Sequence, residues 1–165
     1  KVVDQKYVFG VQGYYLKHAD LQGSIGLIQL TKQDEIHAVR RANKARMHEI
    51  FSKIPGVRVI EEKEHAETSW FGVPIVCEDG PVSTNKHHLV KYLEDNKIQT
   101  RNYFAGNILM HPGYRHIEPA SNYPNASKVL DNVFFVGCSP VITDPMLDYI
   151  EKTVQQYKTL FHHAV

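Results

Sequence analysis

Two short stretches concentrate the residue types that do chemistry. In Thr100-Arg101-Asn102-Tyr103-Phe104-Ala105-Gly106-Asn107, an arginine at a strand end is followed by aromatic rings, a glycine and an amide. That set supplies a bidentate cation, a stacking surface and amide hydrogen bonds at one place. An ion pair from Arg101 to a carboxylate, tying down the following loop, is the alternative reading of the same residues. In Gly13-Tyr14-Tyr15-Leu16-Lys17-His18-Ala19-Asp20-Leu21-Gln22, tyrosine hydroxyls and a lysine run straight into a helix start. A helix N-terminus beside a lysine suits an anion. A plain helix start with its tyrosines packed in an interface accounts for these residues as well.

Other reactive residue types form no pattern. Ten histidines are present, but His87-His88 and His162-His163 are adjacent pairs, and neighbours on a helix diverge by about 100°. His111 and His116 fall in an irregular stretch, and HExxH and CxxC spacings are absent, so no metal site is expected. No serine occupies a G-x-S-x-G elbow. Gly10 and Gly13 are a poor match to a phosphate loop. Cys77 and Cys138, far apart and each beside strand-like residues, read as buried thiols.

The elements that must position these residues come from periodicity. A first helix from Asp20 carries Leu21, Ile25 and Ile28, and a second over about 33–53 carries Ile36, Val39, Asn43, Met47 and Ile50. Arg40, Arg41, Lys44 and Arg46 crowd its other faces, a pattern expected of a solvated surface. Pro55-Gly56 breaks the chain, and strands follow over 57–60 and 70–76, joined by a charged loop over 61–68. Ser83 or Thr84 is positioned to cap a helix reaching about Asn96, with Leu89 and Leu93 inward. A short strand over 98–101, a long loop over 104–125 and a strand over 133–136 come next. A loop of that length in a compact domain is usually functional or packed on a partner. Asp144 and Pro145 open a last helix carrying Leu147, Ile150, Val154, Tyr157 and Phe161. The order predicts helices packed on a small mixed or antiparallel sheet, with residues 55–165 as one α/β domain. Residues 1–54 read as the end of a larger domain and its connecting helices.

Composition narrows the partners. A net charge of +1 and 22% charged residues give no reason to expect nucleic acid or an anionic membrane. No apolar run is long enough to span a bilayer. The chain opens at Lys1 within what looks like the middle of an element, so it reads as a piece of a longer protein.

The two stretches resemble blocks of the DegT/DnrJ/StrS-type sugar aminotransferase and dehydrase family. Gly13-Tyr14-Tyr15-Leu16-Lys17 through Ser24-Ile25-Gly26 is similar to that family's "GYNLK…TDMQAAIG" block. Ile98-Gln99-Thr100-Arg101 with Phe104-Ala105-Gly106-Asn107 is similar to "GIxTRxxFAGN", the form of the CDP-4-keto-6-deoxyglucose 3-dehydrase branch. Asp131 to Gly137 and Met146 to Ile150 resemble that branch too, so the likeness covers nearly the whole chain. It implies the C-terminal small domain of a fold-type-I aminotransferase, acting with pyridoxal or pyridoxamine phosphate on a nucleotide-linked keto-deoxysugar in a cytoplasmic homodimer.

By the same resemblance Tyr14, Tyr15 and Lys17 would lie at the cofactor phosphate, while Arg101, Phe104 and Asn107 would approach the nucleotide-sugar. Tyr15 and Ala19 depart from the family's Asn and Ser/Thr, and a non-catalytic dimerisation or ligand-binding module is the reading they favour. The implied reaction is loss of the sugar's 3-hydroxyl with the cofactor ring as electron sink; amino transfer to a keto-sugar is the rival. The cofactor lysine or its histidine replacement, and cysteines for an iron–sulfur cluster, would precede Lys1. A reductase is a further partner of the dehydrase reading. The chain alone is expected to hold no catalytic residue, no bound cofactor and no activity.

Overall fold

The computed structural model describes Tyr14, residues 19–80 and residues 83–161. The chain divides into two units, 1–34 and 35–165. The first contains α1 (Asp20–Leu30). Leu21, Ile25 and Ile28, the residues at helical spacing, are exposed, and α1 buries none of its residues. Its cap position is Ala19, whose backbone N–H donates to Gln22 Oε1 at 3.0 Å. That bond is half of a capping box, since alanine has no oxygen to return the other half.

The second unit is a helix-covered sheet. Helix α2 (Gln33–Phe51) starts at the division and feeds β1 (Val57–Val59) through a turn in which Gly56 has φ +72°. Strand β2 (Gly72–Cys77), α3 (Lys86–Asp95), β3 (Thr100–Asn102), α4 (Pro124–Asn132), β4 (Val133–Gly137) and α5 (Asp144–Phe161) follow. The four strands form a fully antiparallel sheet in the order β1-β2-β4-β3. Strand β4 therefore inserts between β2 and β3, which run parallel to each other on either side of it.

Alternation along the strands separates two faces. Val73, Ile75 and Cys77 on β2 and Phe134 and Val136 on β4 point into the core with Met47, Ile50 and Phe51 of α2, Leu89 and Leu93 of α3, and Leu147, Ile150, Val154 and Tyr157 of α5. The compact unit begins at Glu35, and α2 gives its apolar stripe to its core.

The basic cluster on α2 is not a uniformly solvated face. Lys44 is only 7% exposed, with its Nζ 2.9 Å from Glu61 Oε2 and 5.0 Å from the Trp70 ring centre. Arg40 and Arg41 donate to the carbonyls of Ser69 and Thr68. These bonds pin the exposed 61–68 loop to the helix. The α3 cap is Asn85, whose Oδ1 accepts from the His88 N–H at 3.0 Å, and not Ser83 or Thr84. The Thr84 hydroxyl instead donates to Pro55 O.

Candidate functional site

The long segment after β3 is more ordered than its composition suggests. It contains 3-10 turns over Ile108–Met110 and Ala120–Asn122 and the nine-residue helix α4, which begins with Pro124. Proline in the first turn costs a helix no hydrogen bond, so Pro124 starts α4 at that point.

Asn107 organises this segment. It is 1% exposed, and its Nδ2 donates to Ala120 O at 2.9 Å and Ser127 Oγ at 3.0 Å, with Tyr123 O at 3.4 Å. Its Oδ1 accepts from the Leu109 N–H at 3.2 Å. One amide therefore ties the turn after β3 to both the second 3-10 turn and the start of α4. Gly106, with φ +65°, sits against Leu130 of α4, and a Cβ there would lie 2.7 Å from Leu130 Cδ1. The ring nitrogen His111 Nε2 lies 3.0 Å from Ala105 O. Further along, Glu118 accepts from Asn122 Nδ2 and Tyr123 Oη. The bonds from Asn122 and Tyr123 hold the Glu118 carboxyl below its ordinary value, and the Glu118 carboxylate raises the Tyr123 phenol.

Held in this way, Arg101 and Phe104 remain outside. Arg101 is exposed on β3, opposite Phe135 in the ladder. Its Nη1 donates to Thr100 O at 3.2 Å. With the Gln99 amide oxygen turned toward it, Arg101 also donates through Nη1 at 3.0 Å and Nη2 at 2.8 Å. Among the described residues no carboxylate forms an ion pair with it, so the loop-tying pair weighed from the sequence is not the one made. Phe104 is 73% exposed, with its ring 5.5 Å from that of Phe135.

Arg101, by strand pairing, and Phe104, by its ring, are thus both neighbours of Phe135, while Asn107 is buried with its amide already engaged. Two residues missed in the sequence belong with this pair: Phe71 and Phe135. Phe135 had a signal in the sequence, an aromatic at an outward position of its strand, while Phe71, just before β2, had none, because alternation would put it with Val73 and Ile75 on the core side.

The other block is largely outside the described residues. Tyr15 and Lys17 lie there, while Tyr14 is 95% exposed. Of this block the described residues show Tyr14 bare and no side-chain oxygen at the α1 cap position. No group of three or more metal-ligating side chains is found among the described residues. Cys77 and Cys138 are free and buried, and burial pushes each thiol up to about 11. No helix among the described residues is long and apolar enough to cross a membrane.

The model of the DegT/DnrJ/EryC1/StrS aminotransferase family matches residues 1–155. The chain belongs to this family. Among curated members it is 36% identical, over 93% of its length, to a dTDP-4-dehydro-2,6-dideoxy-D-glucose 3-dehydratase of Saccharopolyspora spinosa, of which it covers 34%. It is 31% identical, again over 93%, to the lipopolysaccharide biosynthesis protein RfbH of Salmonella typhimurium, of which it covers 36%.

Solved members of the family agree in fold. The E. coli GDP-4-keto-6-deoxy-D-mannose-3-dehydratase with bound hydrated pyridoxal phosphate has a TM-score of 0.75 at 25% identity, over 92% of this chain and 39% of that one. A GDP-4-keto-6-deoxymannose-3-dehydratase with bound GDP-perosamine has a TM-score of 0.75 at 26% identity, over 93% and 41%. The chain spans between a third and two fifths of the length of these family members.

Proposed function

We propose that this chain is the C-terminal part of a nucleotide-deoxysugar 3-dehydrase dependent on pyridoxamine or pyridoxal phosphate, and that it supplies one wall of the substrate site. The observation carrying this reading is that Arg101 and Phe104 both stay exposed beside Phe135, next to a turn held by Asn107, in a chain 36% identical to a nucleotide-sugar 3-dehydratase. Arg101, exposed and with no ion-paired carboxylate among the described residues, grips a substrate phosphate. Phe104 packs on the apolar part of the ligand. Asn107 holds the turn that presents both.

In the whole protein the cofactor, when bound, supplies the electron sink for loss of the sugar's 3-hydroxyl. Tyr14, Tyr15 and Lys17 face its phosphate, and the exposed apolar side chains of α1 are covered within a homodimer. The cytoplasm, where nucleotide sugars are made, is its compartment, and a reductase completes the deoxygenation. The 165 residues alone are inactive.

The test is incubation of the whole protein with pyridoxamine phosphate and a panel of dTDP-, GDP- and CDP-linked 4-keto-deoxysugars. Loss of the 3-hydroxyl, read by mass spectrometry, is the expected outcome. Transfer of an amino group from glutamate to the sugar would establish the aminotransferase in its place. Failure to bind cofactor or consume any sugar would leave a non-catalytic module.

A further inference from the structure

Helix α4 is gripped at both ends by residues distant in sequence. At its start, Asn107 Nδ2 reaches Ser127 Oγ at 3.0 Å. At its end, the last backbone carbonyls lack a donor within the helix, as in every helix. A basic side chain there would satisfy them and the helix dipole together. The last turn of α4 has none, and Asp131 puts an anion at that end instead. The cation comes from α3. Lys86 Nζ donates to Leu130 O at 2.5 Å.

This lysine stands where its charge is disfavoured. It is 5% exposed, and burial pulls its amine below the ordinary value of 10.5, against the opposing pull of Cys77 and Asp131. Folding therefore works against the charged form. Glu78, Asp79 and Asp131 line the same polar cleft of about 320 Å³, yet among the described residues no carboxylate forms an ion pair with Lys86. Its hydrogen goes to a neutral carbonyl. Ion-pair stabilisation does not account for such a placement, whereas holding one backbone group in place does.

The group it holds belongs to the residue under the turn after β3. A Cβ on Gly106 would lie 2.7 Å from Leu130 Cδ1 and 2.8 Å from Leu130 Cβ, so the turn rests on Leu130 with no space between. The Gly106 N–H closes that turn by donating to Tyr103 O at 2.9 Å, with Phe104 and Ala105 between them. Close-packed contacts transmit displacement. A shift of the Leu130 backbone therefore reaches Gly106, and through it Phe104.

We propose that Lys86 is a positioning residue, which by gripping the end of α4 sets the place of the 103–107 turn through Leu130. It touches no substrate itself. Its effect on catalysis rests on the dehydrase reading above, in which Phe104 packs on the ligand.

The test is made in the whole protein with Lys86→Met, which keeps the apolar stem and removes the amine. Its unfolding midpoint should stay near the parent's, because relief of the buried charge offsets the carbonyl left without its donor. Amide hydrogen exchange over residues 103–107 should rise about ten-fold. KM for the nucleotide sugar should rise about ten-fold with kcat within about two-fold, the mark of a displaced binding wall. Val154→Ala, in the core on α5, is the control: it lowers the midpoint and leaves KM at the parent value.

If the sugar is turned over and either the exchange or the KM of Lys86→Met equals the parent's, the proposal falls. It falls also if Val154→Ala raises KM as much, since lost stability would then explain both. Should Lys86→Met not fold, Lys86→Gln decides. Its amide is one bond shorter and falls short of Leu130 O, so faster exchange with a raised KM upholds the proposal and parent values overturn it. Failure of the dehydrase reading looks different. Faster exchange over 103–107 in a protein that consumes no nucleotide sugar keeps Lys86 in its role and removes the activity.

Discussion

The Asn107 amide nitrogen lies 3.0 Å from the Ser127 hydroxyl, across twenty residues of chain. That contact joins the turn after β3 to the first turn of α4, and the candidate site depends on it. Asn107→Ala removes the donor shared by the carbonyls of Ala120 and Tyr123 and strands a buried N–H at Leu109. Groups left unpaired in this way cost about 1–3 kcal/mol, so a loss of about 2–3 kcal/mol is expected in urea unfolding. Arg101→Gln, on the exposed face, stays within about 0.5 kcal/mol of the parent. Equal midpoints for Asn107→Ala and the parent chain would show that the loop is held by something else.

Gly106 tests the same join from the other side. An alanine there must adopt φ +65° and place its Cβ 2.7 Å from Leu130 Cδ1. The backbone strain alone is on the order of 1 kcal/mol, and the clash adds to it. Leu130→Ala removes the Cδ1 and Cγ contacts and leaves the 2.8 Å approach to Cβ and the backbone strain. The double variant should therefore be more stable than the sum of the single losses requires. Strict additivity of the two would refute the contact.

The Lys44–Glu61–His48 group links α2 to the strand loop. Glu61 accepts from Lys44 Nζ at 2.9 Å, and its Oε1 lies 2.7 Å from His48 Nε2. The bond from Lys44, with the charges of Lys44 and His48, holds the Glu61 carboxyl below its ordinary value of 4.5. The folded state then binds its proton less readily than the unfolded state. The resulting stability is complete above about pH 4.5 and disappears as pH falls through the lower folded value. Glu61→Gln should flatten this limb of a pH-stability curve. An identical acid limb in both proteins would mean that the bond contributes nothing.

At the alkaline end the sign reverses. Burial raises the thiols of Cys77 and Cys138 from 9.0 to about 11, and the Tyr157 phenol from 10.0 to about 12. Their contribution is complete below pH 9 and is lost as pH rises toward 11 and 12, because the unfolded chain ionises first. Iodoacetamide at pH 8 should leave both cysteines unmodified in the folded chain and label both in denaturant. Rapid labelling of the folded protein would contradict their burial.

The sequence alone determined what rests on local rules. Hydrophobic spacing and cap residues located α2, α3 and α5, enrichment in β-branched and aromatic residues located the strands, and the arginine, aromatic and amide residues after β3 marked the candidate turn. Only the tertiary structure decided how those residues divide the work. Asn107 and Arg101 both look like polar ligand contacts in a linear reading. Folding buries the first among carbonyls from residues 13 and 16 positions away and leaves the second on an open face. Helix α4 hides among loop-forming residues because its stability comes from packing on β4 and Gly106, which no local period records. Lys44 resembles a solvated lysine until Glu61 and Trp70 are folded over it. The rings of Phe71, Phe104 and Phe135 need β4 inserted between β2 and β3, since they meet only when strands distant in sequence become neighbours.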